Sequence, residues 1–473
     1  VNVITRPETD EKLAALAARI HHDLACLDYP AKPWVREHHY DHTHVHDVVI
    51  IGGGQCGLAI GFGLQREKVD NFLILDENAA GFEGPWETYA RMVTLRTPKY
   101  LTGPDLGVAS LTFRAFWEAQ HGEGSWDSVG KIPRQDWMRY LRFFRATLNL
   151  PVRNDTLVTL IEPVQPGLFR LHIAAQAPIM ARKIVLATGI QGGGNWHMPE
   201  FISGALPKSL YAHTSGEIDY TRFVGKKIGI LGGGASSFDN ANFALSNGIA
   251  EAHVFLRRDK MPRINPIRFM ENAGFLRHFA DLDDAAKYKS MDFFLSHSQP
   301  PTNDTFQRAA AFPGFHLHLG EPWQRVEPIE GGVRVHTPRG SHDFAFIIAS
   351  TGLMTNVALR PELAAVASDI AHWRDRFTPP AEQKPNRLID DHPYLGPAFE
   401  FQPKTPEAAS RLHGLFAFNY SALVSLGLSA AALSGMKFAA PRLVAGLTRQ
   451  LFCDDHEQIL DDFLAYAEEE FTQ

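Results

Sequence analysis

Two apolar strands that each run into a triple-glycine turn and a helix of small residues, DVVIIGGGQCGLAIGFGL and KKIGILGGGASSFDNANFAL, and two further apolar strands closing on ATG and STG, predict an α/β fold. It consists of two Rossmann-like dinucleotide-binding domains, the second inserted in the first. The length of 473 residues suits that architecture, because a single hydrophobic core stops growing at roughly 250–300 residues.

Residues 1–46 read as an N-terminal helical arm. Leu13, Leu16, Ile20 and Leu24 recur at helical spacing, and the polar, proline-containing stretch DYPAKPW follows. In the run HHYDHTHVH, His42, His44 and His46 alternate and would share one face of an extended strand. No acidic or cysteine partner stands at a fixed spacing from them, so they are read as surface histidines and no metal site is expected.

Residues 47–203 form the first part of the first domain. Its opening strand, turn and helix are followed by a second apolar strand, FLILDEN, which completes a βαβ unit. Residues 81–130 read as a loop region. In IPRQDWMRYLRFFRATL, Trp137, Tyr140, Leu141 and Phe144 fall at helical spacing between arginines, the pattern of an amphipathic helix covering a core. TLVTLIEPV and FRLHIAA read as strands of a meander that feeds through KIVLATG back into the first sheet.

The second domain spans residues 204–340, where the second glycine turn is followed by the strand EAHVFLRR. Residues 341–473 are expected to return to the first domain with the strand of DFAFIIASTGL and the C-terminal helices. The apolar run 422–436 is shorter than the roughly 20 residues of a bilayer-spanning helix, so it reads as a buried helix or as the contact of a homodimer.

Composition removes several classes of function. A formal net charge of −7, with no Lys/Arg block, gives no attraction for nucleic acid. Cys26, Cys56 and Cys453 are too scattered for a disulfide framework, a CxxC metal cluster or a redox-active dithiol, and a reducing cytoplasm fits. The segment VNVITRPETDEKL lacks the apolar core of a secretory signal.

In GGGQCG, Gly52 permits the tight turn, Gly54, next to Gln55, admits a pyrophosphate against the backbone, and Gly57 lets helix and strand approach. Free N–H groups at the helix start bind a pyrophosphate. Asp76, after the next strand, is placed to accept from a ribose hydroxyl. Gly232, Gly234, Ser236 and Ser237 repeat the geometry, with Ser237 where the third glycine would stand. Here Arg257 and Arg258 follow the next strand, where guanidinium groups suit a 2′-phosphate or else form a solvated basic loop. Two sites of opposite chemistry point to FAD in the first and NADPH in the second. Thr188-Gly189 and Thr351-Gly352 end the apolar strands that cross between the domains near both cofactors. Gly84-Pro85-Trp86 reads as a flavin-side loop, with Trp86 against the cofactor, or as a plain turn with a buried Trp.

The paired GGGxxG and GGGxxS motifs, the ATG segments and LPKSLYAHTS between them resemble the class B flavin-dependent monooxygenases, a family of N-oxygenating, flavin-containing and Baeyer–Villiger enzymes. The resemblance covers about residues 47 to 435. Within the class, YAHTSGEIDY, LRRDKMPRINP and HLHLGEPW are most similar to a bacterial group of aspartate N-monooxygenase and urate hydroxylase-like proteins. Two departures stand out: Pro207-Lys208-Ser209 occupies the place of F-x-G before His213 and Thr214, and Thr97-Pro98-Lys99 lacks an asparagine found in many members.

The resemblance implies NADPH-driven reduction of FAD, a C4a-(hydro)peroxyflavin formed with molecular oxygen, and oxygen transfer to a small-molecule substrate, with N-oxygenation of an amine or amino acid placed first. Baeyer–Villiger or S-oxygenation and an NADPH oxidase or flavin electron carrier are the alternatives. Arg96 and His213 are the catalytic candidates, with Thr97, Arg263 and Asn265 as further polar groups near the flavin. The competing readings are a loop anchor for Arg96, a domain-junction hydrogen bond for His213 and a solvated loop for Arg263 and Asn265.

Overall fold

The computed structural model describes residues 7–27, 32–101, 103–297, 299–428 and 432–471. Residues 28–31 of the proline-containing stretch and 429–431 of the C-terminal apolar run lie outside the described residues.

Two sheets organise the chain. The first has eight strands, with Val152–Arg153, Phe72–Leu75, Thr43–Ile51, Ile179–Leu186, Leu168–Ile173 and Val158–Gln165 side by side. His38–Tyr40 pairs with Thr43–Ile51, and Leu415–Ala417 pairs with Ile179–Leu186. The central strands are parallel, in a register that sets Val49 beside Leu73 and Ile184. They are covered on both faces, which is why they read as unbroken apolar runs. Leu168–Ile173 and Val158–Gln165 continue the sheet antiparallel, as the expected meander.

The second sheet has five parallel strands in the order Phe315–Leu319, Glu251–Leu256, Lys227–Leu231, Phe346–Ala349, Tyr211–His213. Helix Ala235–Ser246 covers one face through Phe238, Ala241 and Leu245. A three-stranded antiparallel sheet, Arg325–Ile329, Gly332–Thr337 and Gly340–Phe344, covers the other. Between the sheets, Gly194–Trp196 pairs antiparallel with Leu353–Thr355. The chain leaves the first sheet along one of these strands and returns along the other, so the second unit is an insertion in the first.

Four expectations are corrected. The strand of DFAFIIASTGL, Phe346–Ala349, lies in the second sheet between Lys227–Leu231 and Tyr211–His213. Parallel buried strands look alike whichever sheet they join, and only pairing decides. His42 is not on the strand with His44 and His46; Asp41 and His42 form the hairpin turn, with φ of 46° and 61°. The stretch 81–130 is not all loop. Thr112 caps helix Phe113–His121 by accepting from Ala115 N at 3.2 Å, and Phe113 and Phe116 pack on Tyr140 at ring separations of 5.5 and 5.7 Å. The apolar run 422–436 is broken: Leu423–Leu426 ends at Gly427, whose φ is 70°, and helix Leu433–Asp454 begins beyond it.

That last helix crosses helix Gln55–Arg66 closely, since a Cβ on Gly63 would come within 2.7 Å of Val444 Cγ2. Its far end is tied to the first sheet by buried charge. Arg182 donates to both oxygens of Asp455, at 2.9 and 2.8 Å, and the fully buried Lys183 pairs with Asp454. No described helix is long and apolar enough to cross a membrane.

Candidate functional site

The C-terminal ends of the parallel strands carry the glycine turns. Gly52 N donates to Leu75 O at 2.7 Å, and Ala187 N donates to Ile51 O at 2.8 Å. The second turn repeats both bonds: Gly232 N to Phe255 O at 3.0 Å, and Ser350 N to Leu231 O at 2.7 Å. Thus the ATG segment closes one turn as the STG segment closes the other. A Cβ on Gly52 would fall 2.4 Å from Ala187 O, and one on Gly232 would fall 2.3 Å from Ser350 O. Both positions, at φ of 112° and 128°, require glycine.

Both turns fit a dinucleotide. Helices Gln55–Arg66 and Ala235–Ser246 begin at Gly54 and Gly234 with no side-chain cap, leaving first-turn N–H groups for an anion. A Cβ on Gly234 would meet nothing within 4 Å, so the backbone there lies open to a phosphate. Gly189 and Gly352 have φ of 69° and 82°, and each likewise faces open space. At the first turn a groove of about 360 Å³ is lined by Gly53, Gly54, Leu58, Met138, Leu141 and Arg142, among others.

Asp76 stands beside that groove. Its Oδ2 accepts from Gly53 N at 2.7 Å, its Oδ1 accepts from Asn78 N at 2.8 Å, and burial raises its pKa against those bonds. Since Gly52 bonds to Leu75 and Gly232 to Phe255, the residue corresponding to Asp76 is Leu256. A Cβ on Gly233 would touch Leu256 Cδ2 at 2.4 Å, much as one on Gly53 would meet Asp76 Cβ at 3.2 Å. Arg257 and Arg258 come next, both exposed. The second turn therefore has an apolar side chain where the first has a carboxylate, and cations just beyond.

Other expected side chains have definite places. Gln55 Oε1 accepts from Trp137 Nε1 at 3.1 Å, which pins it to the helix Arg134–Thr147. Trp86 is buried against Gly84, and its Nε1 has no partner among the described residues. Thr188 Oγ1 accepts from Asn419 Nδ2 at 3.1 Å, and Thr351 Oγ1 donates to His197 O. Ser236 is exposed at the helix start, while Ser237 is fully buried, so its hydroxyl faces the interior and not the open side of the turn.

The junction between the units gathers the catalytic candidates. Arg96 forms an ion pair with the buried Asp239 of helix Ala235–Ser246, and its carbonyl accepts from Arg268 Nη2 at 3.0 Å. Burial raises the Asp239 pKa and Arg96 opposes it. Arg91 Nη2 donates to Gly216 O at 3.1 Å, so the loop carrying Arg91 and Arg96 touches both the turn after His213 and the segment after Asn265. Asn265 spends its Oδ1 on Ile267 N at 3.2 Å, and Arg263 is exposed. His213 stacks on Trp196 at 5.1 Å, and Trp196 meets Tyr89 edge-on at 6.0 Å. Burial lowers the His213 pKa to about 4, so the ring is neutral near pH 7. Ser215 N donates to its Nδ1 at 3.2 Å, which leaves the ring hydrogen on Nε2.

Sequence reading missed Arg91, Asp239, Leu256 and Asn419. The first two are marked only by a partner distant in sequence. Asn419 had a local signal, a polar residue two positions after an apolar strand parallel to the ATG strand. Burial pushes the Cys56 thiol up to about 12, and none of the three cysteines forms a disulfide, so no dithiol serves the flavin side.

A pyridine nucleotide-disulphide oxidoreductase family profile matches residues 49–266. Over 461 residues the chain is 57% identical to the FAD-dependent urate hydroxylase of Xanthomonas campestris pathovar campestris, with 97% of each chain covered. Among solved structures, the reduced form of ornithine hydroxylase from Pseudomonas aeruginosa matches at a TM-score of 0.67 and 16% identity, covering 86% of this chain and 100% of that one. L-lysine 6-monooxygenase from Pseudomonas syringae matches at 0.64 and 16%, covering 86% and 99%. At such identities the likeness is one of fold.

Proposed function

The chain belongs to the flavin-dependent monooxygenase family of the Xanthomonas urate hydroxylase, and from that premise we propose that it binds FAD at the first glycine turn and NADPH at the second, and oxygenates a small nitrogen-containing substrate. The reading rests on one observation: two turns closed by the same bonds, one beside a carboxylate and the other beside a leucine followed by two exposed arginines.

Bound FAD supplies hydride acceptance and oxygen activation, which no side chain provides. The chain's own task is placement. First-turn N–H groups of the two uncapped helices hold the pyrophosphates, and Asp76 accepts from a ribose hydroxyl. Arg257 and Arg258 bind the 2′-phosphate of NADPH, and Leu256 presents no charge to repel it. Trp86 and the Tyr89–Trp196–His213 ring cluster exclude water from the junction. His213, neutral with Nε2–H, donates a hydrogen bond there without carrying charge. Arg96 is a positioning residue, because its guanidinium is engaged by Asp239.

NADPH gives two electrons, one oxygen atom enters the substrate and the other leaves as water. N-oxygenation of an amine or amino acid is the first reading of the substrate class. Hydroxylation of urate is the second, favoured by the 57% identity to a urate hydroxylase. The test is turnover of the FAD-replete protein with NADPH in air against aspartate, ornithine, lysine and urate, with products analysed by mass. Gain of one oxygen atom, coupled to NADPH use, identifies the substrate class. Hydrogen peroxide equal to the NADPH consumed, whatever is added, overturns oxygenation in favour of an oxidase.

A further inference from the structure

A histidine cluster lies on the second sheet, on the face covered by the three-stranded sheet and apart from the glycine turns. The parallel register sets His253 of strand Glu251–Leu256 beside His316 and Phe255 beside His318 of strand Phe315–Leu319. His342 reaches the same place from strand Gly340–Phe344. The side chains of His253, His318 and His342 are 13%, 18% and 26% exposed, sheltered but reachable by an ion.

Hydrogen accounting makes the cluster unusual. His253 Nδ1 and His318 Nε2 lie 2.9 Å apart. Both outer nitrogens are held by carboxylates: His253 Nε2 by Glu251 Oε2 at 2.9 Å, and His318 Nδ1 by Glu321 Oε1 at 3.3 Å. An ionised carboxylate only accepts, so each outer nitrogen carries the ring hydrogen. The inner nitrogens of two neutral rings are then bare lone pairs facing each other, an arrangement that calls for a cation between them. A ring nitrogen of His342 completes a set of three whose ligand atoms all lie within 4.8 Å of one another. Glu321 also sits 3.4 Å from His342 Nε2.

A carboxylate on the outer nitrogen of His253 and of His318 is the arrangement that orients imidazoles on a metal. We propose that His253, His318 and His342 bind one divalent first-row transition-metal ion, of which Zn²⁺ best suits three imidazoles with a water in the fourth position. Zinc–nitrogen bonds of about 2.0–2.1 Å need ligand nitrogens roughly 3.4 Å apart, so His253 and His318 separate by a few tenths of an ångström and His342 closes in. The ion ties two neighbouring strands to the three-stranded sheet that covers them, close to where the chain turns into Arg257. The site is unrelated to His42, His44 and His46 of the arm.

The full-length flavoprotein, stripped with a chelator and desalted, is titrated with Zn²⁺ by calorimetry and by competition with a chromophoric chelator, and its Tm is followed. One saturable equivalent and a raised Tm are expected, as are Co²⁺ bands at wavelengths beyond those of the flavin. His342→Ala should weaken binding at least about 100-fold, and Glu321→Gln about 10–100-fold, as loss of outer-shell support does. Flavin absorbance and circular dichroism confirm that each variant is folded. His44→Ala, which removes the exposed group of Glu37, His39 and His44, should leave the titration unchanged. No saturable binding by the parent protein overturns the proposal and leaves the inner nitrogens sharing a proton. Parent-like binding by folded His342→Ala and Glu321→Gln overturns it equally.

Discussion

The two glycine turns share their closing bonds and differ in what surrounds them. In the first, the helix presses on the turn so closely that a Cβ on Gly57 would lie 1.9 Å from Gly52 O, while in the second Ser237 occupies the corresponding place, fully buried. In the first, a carboxylate follows the strand; in the second, leucine and then two arginines do. The bonds that shape a phosphate-binding turn are thus separable from the third glycine, which governs helix packing. They are separable too from the residues beyond the next strand, to which the proposed function gives the choice of nucleotide.

Gly57→Ala breaks the comparison most severely. The added methyl needs the turn or the helix to shift, a strain of up to about 3 kcal/mol, and FAD affinity should fall about 100-fold. The ratio of flavin to protein absorbance after gel filtration reads this. Ser237→Gly, which restores the missing glycine, should change NADPH affinity by less than about threefold, as expected of a packing position whose loss costs well under 1 kcal/mol. A large effect of Ser237→Gly would instead give that residue a part in binding.

Arg257→Ala with Arg258→Ala tests the other difference. A sheltered charge-assisted hydrogen bond contributes about 1.5–3 kcal/mol, and solvent screening leaves about that much for these two exposed side chains together, so the KM for NADPH should rise roughly 10–100-fold while that for NADH stays nearly constant. Leu256→Asp should sharpen the contrast by favouring NADH, since it recreates the first turn's acid. Steady-state reduction with each nucleotide decides. Equal losses for both would move the 2′-phosphate site elsewhere.

What was legible in the sequence follows the same division. Strand, glycine turn and helix are contiguous, so both units, Asp76 and the amphipathic helix Arg134–Thr147 were readable from local pattern. Sheet membership was not. Phe346–Ala349 reads as any buried parallel strand, and only pairing with Lys227–Leu231 places it in the second sheet. The hairpin at Asp41-His42 was hidden because its two positive-φ residues are not the usual Asn-Gly or Asp-Gly pair. The junction was hidden for another reason: Arg96 and Asp239 are 143 residues apart, and no spacing rule joins a loop to a helix in an inserted unit.

Acid should act on the second unit through its buried histidine at the junction. His213 has an ordinary value of 6.5 and a folded value near 4, so the unfolded chain binds a proton more readily in that window. Stability is then full above about pH 6.5 and falls as pH drops towards 4, by about 2 kcal/mol at pH 5. His392, also lowered to about 4 by burial, adds a slope of the same sign from the region flanking the first sheet. Thermal unfolding of His213→Gln across pH 7 to 4.5 should show a shallower loss than the parent. An unchanged slope would mean that the His213 ring reaches solvent.

The smallest expected effect concerns the link between the two units. Arg96 belongs to a loop of the first and Asp239 to the helix that opens at the second glycine turn, so their ion pair ties the first unit to the helix of the second turn. Arg96 is one-third exposed, so solvent screens part of the attraction, and a coupling of about 1 kcal/mol is expected from a cycle of Arg96→Met, Asp239→Asn and the double variant. A structural link predicts that Arg96→Met and Asp239→Asn slow flavin reduction by NADPH alike, and that the double variant is no slower than either. A direct part for Arg96 in oxygen transfer predicts instead that Arg96→Met alone uncouples NADPH use from product, with Asp239→Asn still coupled. The ratio of hydrogen peroxide to product separates the two, because a misplaced nucleotide slows reduction whereas a missing group beside the substrate wastes the oxygen already activated.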